Sequence, residues 1–254
     1  MHHSASAKIP ALILGLALGC AGQPSPAAGA ELNGDAIPTS QGDLIIHPIN
    51  HATFAMAWNT NTIYVDPVGG AQRFAGLPRP NLILVTDIHG DHLNPETLAA
   101  VAGPTTRIVA PAAVAEKLPD PLRAQTTVLA NGQTRSLLDI TIQAIPMYNL
   151  TADRLRFHTK GRGNGYVLTL GGARVYISGD TEDIPEMRTL KNIDVAFLCM
   201  NLPYTMDVQQ AAAAVRAFRP KIVYPYHYRG SDLQKFKRLV GDDAGVQVRL
   251  RDWY

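Results

Sequence analysis

The segment Thr86-Asp87-Ile88-His89-Gly90-Asp91-His92-Leu93 gathers four possible metal donors, Asp87, His89, Asp91 and His92, within six residues. In extended chain, alternate residues point the same way, so Asp87, His89 and Asp91 converge, and His92 joins them once the chain turns. Imidazole nitrogen and carboxylate oxygen suit zinc, iron or manganese, and the lack of cysteine in the cluster argues against a closed structural zinc site. A metal held by such donors lowers the pKa of a bound water to ~7 and polarises a carbonyl or phosphoryl oxygen. One histidine on a loop would carry no such reading, since polar residues gather after strands for many reasons. Here two further segments supply partners: Tyr176-Ile177-Ser178-Gly179-Asp180-Thr181 delivers Asp180, and Tyr224-Pro225-Tyr226-His227-Tyr228 delivers His227.

These donors need strand ends to hold them. Asn81 to Thr86 is a continuous apolar run that reads as a strand leading into the loop. Asn94 can then N-cap a helix that begins at Pro95. Leu44 to Pro48, Thr53 to Trp58 and Thr62 to Val65 are β-like runs with Asn59-Thr60-Asn61 as a polar turn, so the part of the chain from Asp43 onward opens as a meander. Arg107 to Ala110, Thr126 to Leu129, Ile140 to Pro146, Tyr166 to Leu170, Arg174 to Ser178, Val195 to Cys199, Lys221 to Tyr226 and Val246 to Leu250 continue the strand series. Asp207 to Phe218, alanine-rich and closed by Pro220, and Ser231 to Val240 read as helices. Gly161-Arg162-Gly163-Asn164-Gly165 reads as a flexible turn, with an anion-binding nest as the functional alternative. Strands with helices on each side imply a layered α/β protein with mixed sheets, and functional residues in such folds collect at strand ends.

With 254 residues, 46% hydrophobic and 17% charged, the chain has material for a well-buried core and is neither disordered nor fibrous. Lys8, the apolar stretch Ile9 to Ala21 and the small-residue site Ala28-Gly29-Ala30 read as a secretory signal peptide over residues 1–30, followed by a metal-binding domain over 31–254. An exported, periplasmic address follows, with lipidation of Cys20 as the alternative. The apolar stretch is shorter than the ~20 residues of a membrane-spanning helix, so the mature chain is expected to have no transmembrane segment. Cleavage would leave 22 basic against 21 acidic residues and Cys199 as the sole cysteine. Neither a nucleic-acid partner nor an internal disulfide is expected. There is no Gly-x-Ser-x-Gly elbow and no P-loop, which removes serine-hydrolase and nucleotide-hydrolase readings.

Taken in order, His89-x-Asp91-His92, Gly179-Asp180-Thr181 after a strand and His227 after a late strand resemble the metallo-β-lactamase superfamily. Asn50-His51-Ala52-Thr53-Phe54, Val65-Asp66-Pro67 and Pro225-Tyr226-His227-Tyr228 are similar to its ascorbate-6-phosphate-lactonase-like branch. The resemblance spans nearly all of residues 43–254. It implies an αββα sandwich with the active site at one edge and one or two divalent metals per chain, zinc first, with manganese or iron as alternatives. By this resemblance Asp91, His92, Asp180 and His227 complete one metal site, with Asp180 bridging to the other.

The second half of the site departs from the family. Asp87 stands where a histidine is usual, and Pro146-Met147-Tyr148-Asn149 lacks the expected third histidine. Related sequences carry a Phe-His before a glycine-rich stretch, so the resemblance assigns the missing ligand to His158, although Arg156, Lys160 and Arg162 around it also fit a solvated loop. The exchange to Asp87 adds charge and a harder oxygen donor, which favours manganese or iron over zinc or leaves the position weakly held. Asp66 is expected to brace the metal loop from behind rather than bind metal. His51 is either a neighbour of the site or a core histidine bonded to backbone. Tyr148 and Asn149, with Tyr204, Tyr226 and Tyr228, are candidates to line the pocket. The resemblance implies a small-molecule hydrolase acting on a lactone, ester or phosphodiester, with Asp91 orienting the attacking water or taking its proton. Two alternatives stand beside it: a non-catalytic exported metal- or ligand-binding protein with a degenerate site, and a β-lactamase.

Overall fold

Phe54, Met56, Ile63 and Val65 alternate along the chain with Ala55 and Tyr64, and every one of them is buried. A strand pair that is apolar on both faces must be covered on both, and it is. The computed structural model describes residues 1–3 and 31–254, so the signal-peptide and Cys20 readings, which rest on residues 8–30, lie outside the described residues. Strands β1 (Asp35–Thr39), β2 (Gly42–Asn50), β3 (Thr53–Trp58), β4 (Asn61–Val65), β5 (Leu82–Leu84), β6 (Arg107–Ala110) and β7 (Thr126–Val128) form one sheet in that order. A second seven-stranded sheet runs β14-β13-β12-β11-β10-β9-β8, from β8 (Thr134–Leu137), β9 (Ile140–Met147), β10 (Gly163–Leu170), β11 (Ala173–Ile177), β12 (Val195–Cys199) and β13 (Ile222–Tyr226) to β14 (Gln247–Val248). In each sheet the first four strands pair antiparallel and the last four parallel. The two halves thus share a topology that no sequence repeat announces.

Register decides which face each side chain takes. Phe54 pairs with Val65 and Met56 with Ile63, and these turn inward with Leu82, Leu84 and Val109. Tyr64, Ile83 and Ile108 turn outward to Leu98 and Val101 of helix α1 (Pro95–Val101) and to the short helices α2 (Ala112–Ala115) and α3 (Asp120–Ala124). A slip of one residue would exchange the two sets. Between the sheets, Phe54 stacks on Phe197 of β12 at 4.2 Å, and Trp253 stands edge-on to both. Outside the second sheet lie α4 (Pro185–Arg188), α5 (Val208–Phe218) and α6 (Leu233–Val240); Phe218 meets Tyr176 of β11 at 5.8 Å. The result is the four-layer αββα sandwich expected from the resemblance. Asp207 and Gln210 close a reciprocal capping box at the start of α5, at 2.7 and 3.1 Å. Among the described residues no helix is long and apolar enough to cross a membrane.

Three sequence expectations change. Strands β1 and β8, each at a sheet edge, go unseen in the sequence because neither holds an apolar run: β1 carries Pro38, tolerated only at an edge, and Thr134, Arg135 and Ser136 of β8 are exposed. The glycine run is not a loose turn, because Gly163 opens β10. A Cβ there would stand 2.9 Å from the Thr86 carbonyl oxygen, and one at Gly165 would stand 2.8 Å from that of Ser178. Those glycines bring β10 against the strand ends that carry the donors. The last strand is also shorter than Val246 to Leu250, keeping only Gln247 and Val248.

Candidate metal centre

At the end of β5 the ladder gives way to a carboxylate. Asp66, in a left-handed turn with φ 44°, accepts from the Thr86 amide at 2.7 Å and from its hydroxyl at 2.6 Å. Asp66 Oδ2 also lies 2.8 Å from His92 Nδ1. After Asp87 one helical turn, closed by the His92 amide on the His89 carbonyl at 3.0 Å, swings His92 back beneath the strand end. Asp180 follows β11 through Gly179, whose amide donates to the Tyr226 phenol at 3.0 Å. His227 leaves β13 with φ 47°, its amide on the His51 carbonyl at 3.1 Å. All these donors therefore sit at the carboxyl ends of parallel strands, where α/β sheets place their sites.

Two groups of donors result. Asp91, His92, Asp180 and His227 have ligand atoms within 4.8 Å of one another, as do Asp87, His89 and His158. Asp180 joins the two groups: its Oδ2 is 3.3 Å from His92 Nε2 and 3.2 Å from His158 Nε2, and its Oδ1 is 3.3 Å from His227 Nε2. Ligands at the ~2.0–2.1 Å bond length of a tetrahedral zinc site stand ~3.3 Å from one another. His92 Nε2, both His158 nitrogens and Asp180 Oδ1 are buried without a hydrogen-bond partner. His92 directs Nδ1 at Asp66, so Nε2 presents a lone pair toward Asp180. Acceptors that close, misaligned for hydrogen bonds and shielded from water, call for a cation between them. Burial opposes the charge of Asp180, but His227 and His92, with His158, overcome it and hold the carboxyl well below the usual carboxylate range. Either protons on the imidazoles or a divalent ion must balance it, and the donor set fits the ion.

Other expected residues fall differently. His158 is 1% exposed, so the solvated-loop alternative fails. The loop that carries it is held by Glu182, which accepts from the Leu150 and Thr151 amides and from Arg154 at 2.6, 2.7 and 2.7 Å. His51 is not a backbone-bonded core residue: Nε2 lies 3.2 Å from Asp91 Oδ2 and Nδ1 lies 2.6 Å from the Tyr254 hydroxyl. Tyr148 does not face the site, because its hydroxyl donates to Glu186 at 2.9 Å. Asn149 supports rather than lines the pocket, its amide donating to the Arg154 and Tyr204 carbonyls at 3.0 and 2.7 Å. A cavity of about 600 Å³ opens over the donors, walled by Phe157, Leu202, Pro203, Tyr204 and Arg229. Of the four candidate tyrosines only Tyr204 lines it. Sequence reasoning named Tyr204 but missed Phe157, Leu202, Pro203 and Arg229, although Asn201 to Tyr204 lie just past the end of β12, the kind of position that had flagged Asp180 and His227.

The sequence profile of the β-lactamase superfamily domain matches residues 46–227. The chain belongs to the metallo-β-lactamase superfamily. It is similar to a metal-dependent hydrolase of Pyrococcus abyssi, 31% identical over an alignment of 215 positions that covers 79% of this chain and 93% of the relative. A solved structure of a protein from Parabacteroides distasonis, named as a metal-dependent hydrolase, is 42% identical with TM-score 0.81 and covers 88% of this chain and all of its own. A metallo hydrolase of Ignicoccus hospitalis, 22% identical over 82% of this chain and 95% of its own, shares the fold at TM-score 0.69. This metallo-β-lactamase-fold chain is thus a metal-dependent hydrolase, and Asp66 is placed to orient His92, one of the candidate metal ligands. Asp66→Asn is expected to weaken metal binding about 10- to 100-fold, as removal of a carboxylate behind a ligating histidine does. Titration with zinc against a competing chelator reads this directly, and an unchanged affinity would deny Asp66 the role.

Proposed function

We propose that this hydrolase is exported and cleaves a lactone, ester or phosphodiester bond in a small molecule, at a two-metal centre that takes zinc first and manganese or iron as alternatives. The observation that carries the reading is the shared Asp180 carboxylate, set between two donor groups whose buried nitrogens lack partners. Divalent metals held there supply Lewis acidity and a nucleophile available at neutral pH. The two groups use Asp91, His92, Asp180 and His227 on one side, and His89 and His158 with Asp87 on the other.

The protein's own part centres on Asp91. Its side chain is 44% exposed, in the cavity floor, and Oδ2 lies 3.2 Å from both His51 Nε2 and His227 Nε2. Held from two sides, the carboxylate keeps one fixed direction and is placed to orient the attacking water and accept its proton. Burial opposes its charge, but His227 and His51 keep it ionised at any working pH. Phe157, Leu202 and Tyr204 present an apolar wall, while Arg229, which has no carboxylate partner among the described residues, offers a cation at the rim. These contacts support a substrate with an apolar group and an anionic one. The resemblance to the lactonase-like branch supports a lactone or ester, and the apolar export signal supports a periplasmic address.

The test sets a γ-lactone, a nitrophenyl ester, bis(nitrophenyl) phosphate and a β-lactam against metal-loaded native protein and Asp91→Ala. Loss of the group that handles the proton is expected to lower kcat/KM about 10²- to 10⁴-fold on whichever substrate turns over. Full activity in Asp91→Ala would end this mechanism, and binding of metal with no turnover of any substrate would favour a binding protein instead.

A further inference from the structure

Tyr254 reaches the metal centre through one atom. The residue is 44% exposed, yet its hydroxyl oxygen has three partners. The Tyr228 and Arg229 amides donate to it at 3.1 and 2.9 Å, and His51 Nδ1 lies 2.6 Å away. A phenol accepts through its oxygen lone pairs and has a single hydrogen to give. With the amides on the lone pairs, that hydrogen goes to His51 Nδ1. The opposite arrangement would bring three donors onto one oxygen and leave the phenol hydrogen without an acceptor among the described residues. An imidazole nitrogen that accepts carries no proton, so the ring hydrogen of His51 sits on Nε2, 3.2 Å from Asp91 Oδ2.

We propose that Tyr254 is a positioning residue of the hydrolase, holding His51 with its proton on Nε2 so that His51 in turn aims Asp91. Asp91 then has Oδ2 engaged by an N–H donor and keeps Oδ1 for the centre, 3.9 Å from His92 Nε2. His51 is also kept out of the donor set. Its ring lies 3.7 Å from that of His227, close enough to compete for the same ion, but a protonated Nε2 has no lone pair to offer. The phenol ring serves the other end of the site. The Arg229 guanidinium stands over it, 5.3 Å from the ring centroid, and Arg229 lines the cavity. One side chain at the rim thus fixes both the carboxylate proposed to handle the proton and the cation proposed to meet an anionic group. The effect on turnover rests on the role given to Asp91 above, whereas the tautomer of His51 stands independently of it.

Nuclear magnetic resonance of zinc-loaded protein with isotope-labelled histidine reads the tautomer directly, since protonated and lone-pair nitrogens resonate far apart. The His51 signals are those missing in His51→Ala. Native protein is expected to carry the His51 proton on Nε2, and a proton on Nδ1 would overturn the assignment. Kinetics on the lactone, ester or phosphodiester that turns over tests the link to Asp91. Tyr254→Phe removes the hydroxyl and keeps the ring, so kcat is expected to fall about tenfold with KM, zinc content and unfolding midpoint unchanged. The decisive comparison is a double-mutant cycle, because a residue that acts through another loses its effect when the other is gone. In a His51→Ala background, Tyr254→Phe is expected to lower kcat no further. An equal further loss there, or an unchanged kcat in Tyr254→Phe alone, would show that Tyr254 does not position Asp91 through His51. No turnover of any of these probes by native protein would instead overturn the proposed function, with the tautomer still deciding how Tyr254 holds His51.

Discussion

Asp180→Ala is expected to abolish hydrolysis and to bring the metal content below one ion per chain. Among the described residues the carboxylate is the single side chain placed toward both donor groups, with His92, His158 and His227 nitrogens all within 3.3 Å of its oxygens. Its removal leaves each group short of a donor at once, whereas His158→Ala depletes one group only. A fall in kcat/KM of at least ~10⁴-fold is expected, the upper end of what one acid–base group contributes, because the nucleophile and the polarising charge are lost together. Elemental analysis alongside kinetics checks it. Two ions per chain retained in the variant would show that Asp180 does not join the groups.

Trp253→Ala should cost about 3–5 kcal/mol, the range for truncating a buried aromatic side chain. The indole is fully buried between the sheets, with ring centroids 5.7 Å from Phe54, 6.3 Å from Phe197 and 5.8 Å from Tyr226. At roughly 2–4 °C per kcal/mol for a chain of this size, the unfolding midpoint drops by ~6–20 °C. The site will register the change as well, since the Trp253 carbonyl accepts from the His51 amide at 2.8 Å and His51 braces Asp91. The indole N–H has no partner, so Trp253→Phe forfeits volume but no hydrogen bond and costs less. Urea unfolding of metal-saturated protein measures both. A loss under ~1 kcal/mol in Trp253→Ala would mean that the inter-sheet core closes over the gap.

Where a strand is central, its sequence declares it: Arg107–Ala110 and Val195–Cys199 are read to the residue, because burial on both faces demands continuous apolar runs. Edge strands lack that demand: β1 and β8, which hold no apolar run, were invisible, while the edge strands β7 and β14 were legible from theirs. The donors of the metal centre were legible because four lie in one short loop and the rest follow strand ends. Their partners were not. Arg162 meets Asp87 across 75 positions and Tyr254 meets His51 across 203, and no local pattern encodes a contact that only the closing of two sheets creates. Arg162 read as a solvated neighbour of His158, when it is the counter-ion of Asp87, which stands where the family usually has a histidine.

The strand order carries a last consequence. All of β1–β7 precede β8, so the backbone passes from one sheet to the other a single time, through Leu129 to Gln133. Asp91 and His92 lie before that passage, and Asp180 and His227 after it; His89 and His158 are divided likewise. Cleavage there would yield two polypeptides, each a whole sheet with its own helices and neither with a whole set of donors. Their reunion would be reported by the ion itself, and the hydrolase would behave as a pair of fragments whose complementation a chelator switches off.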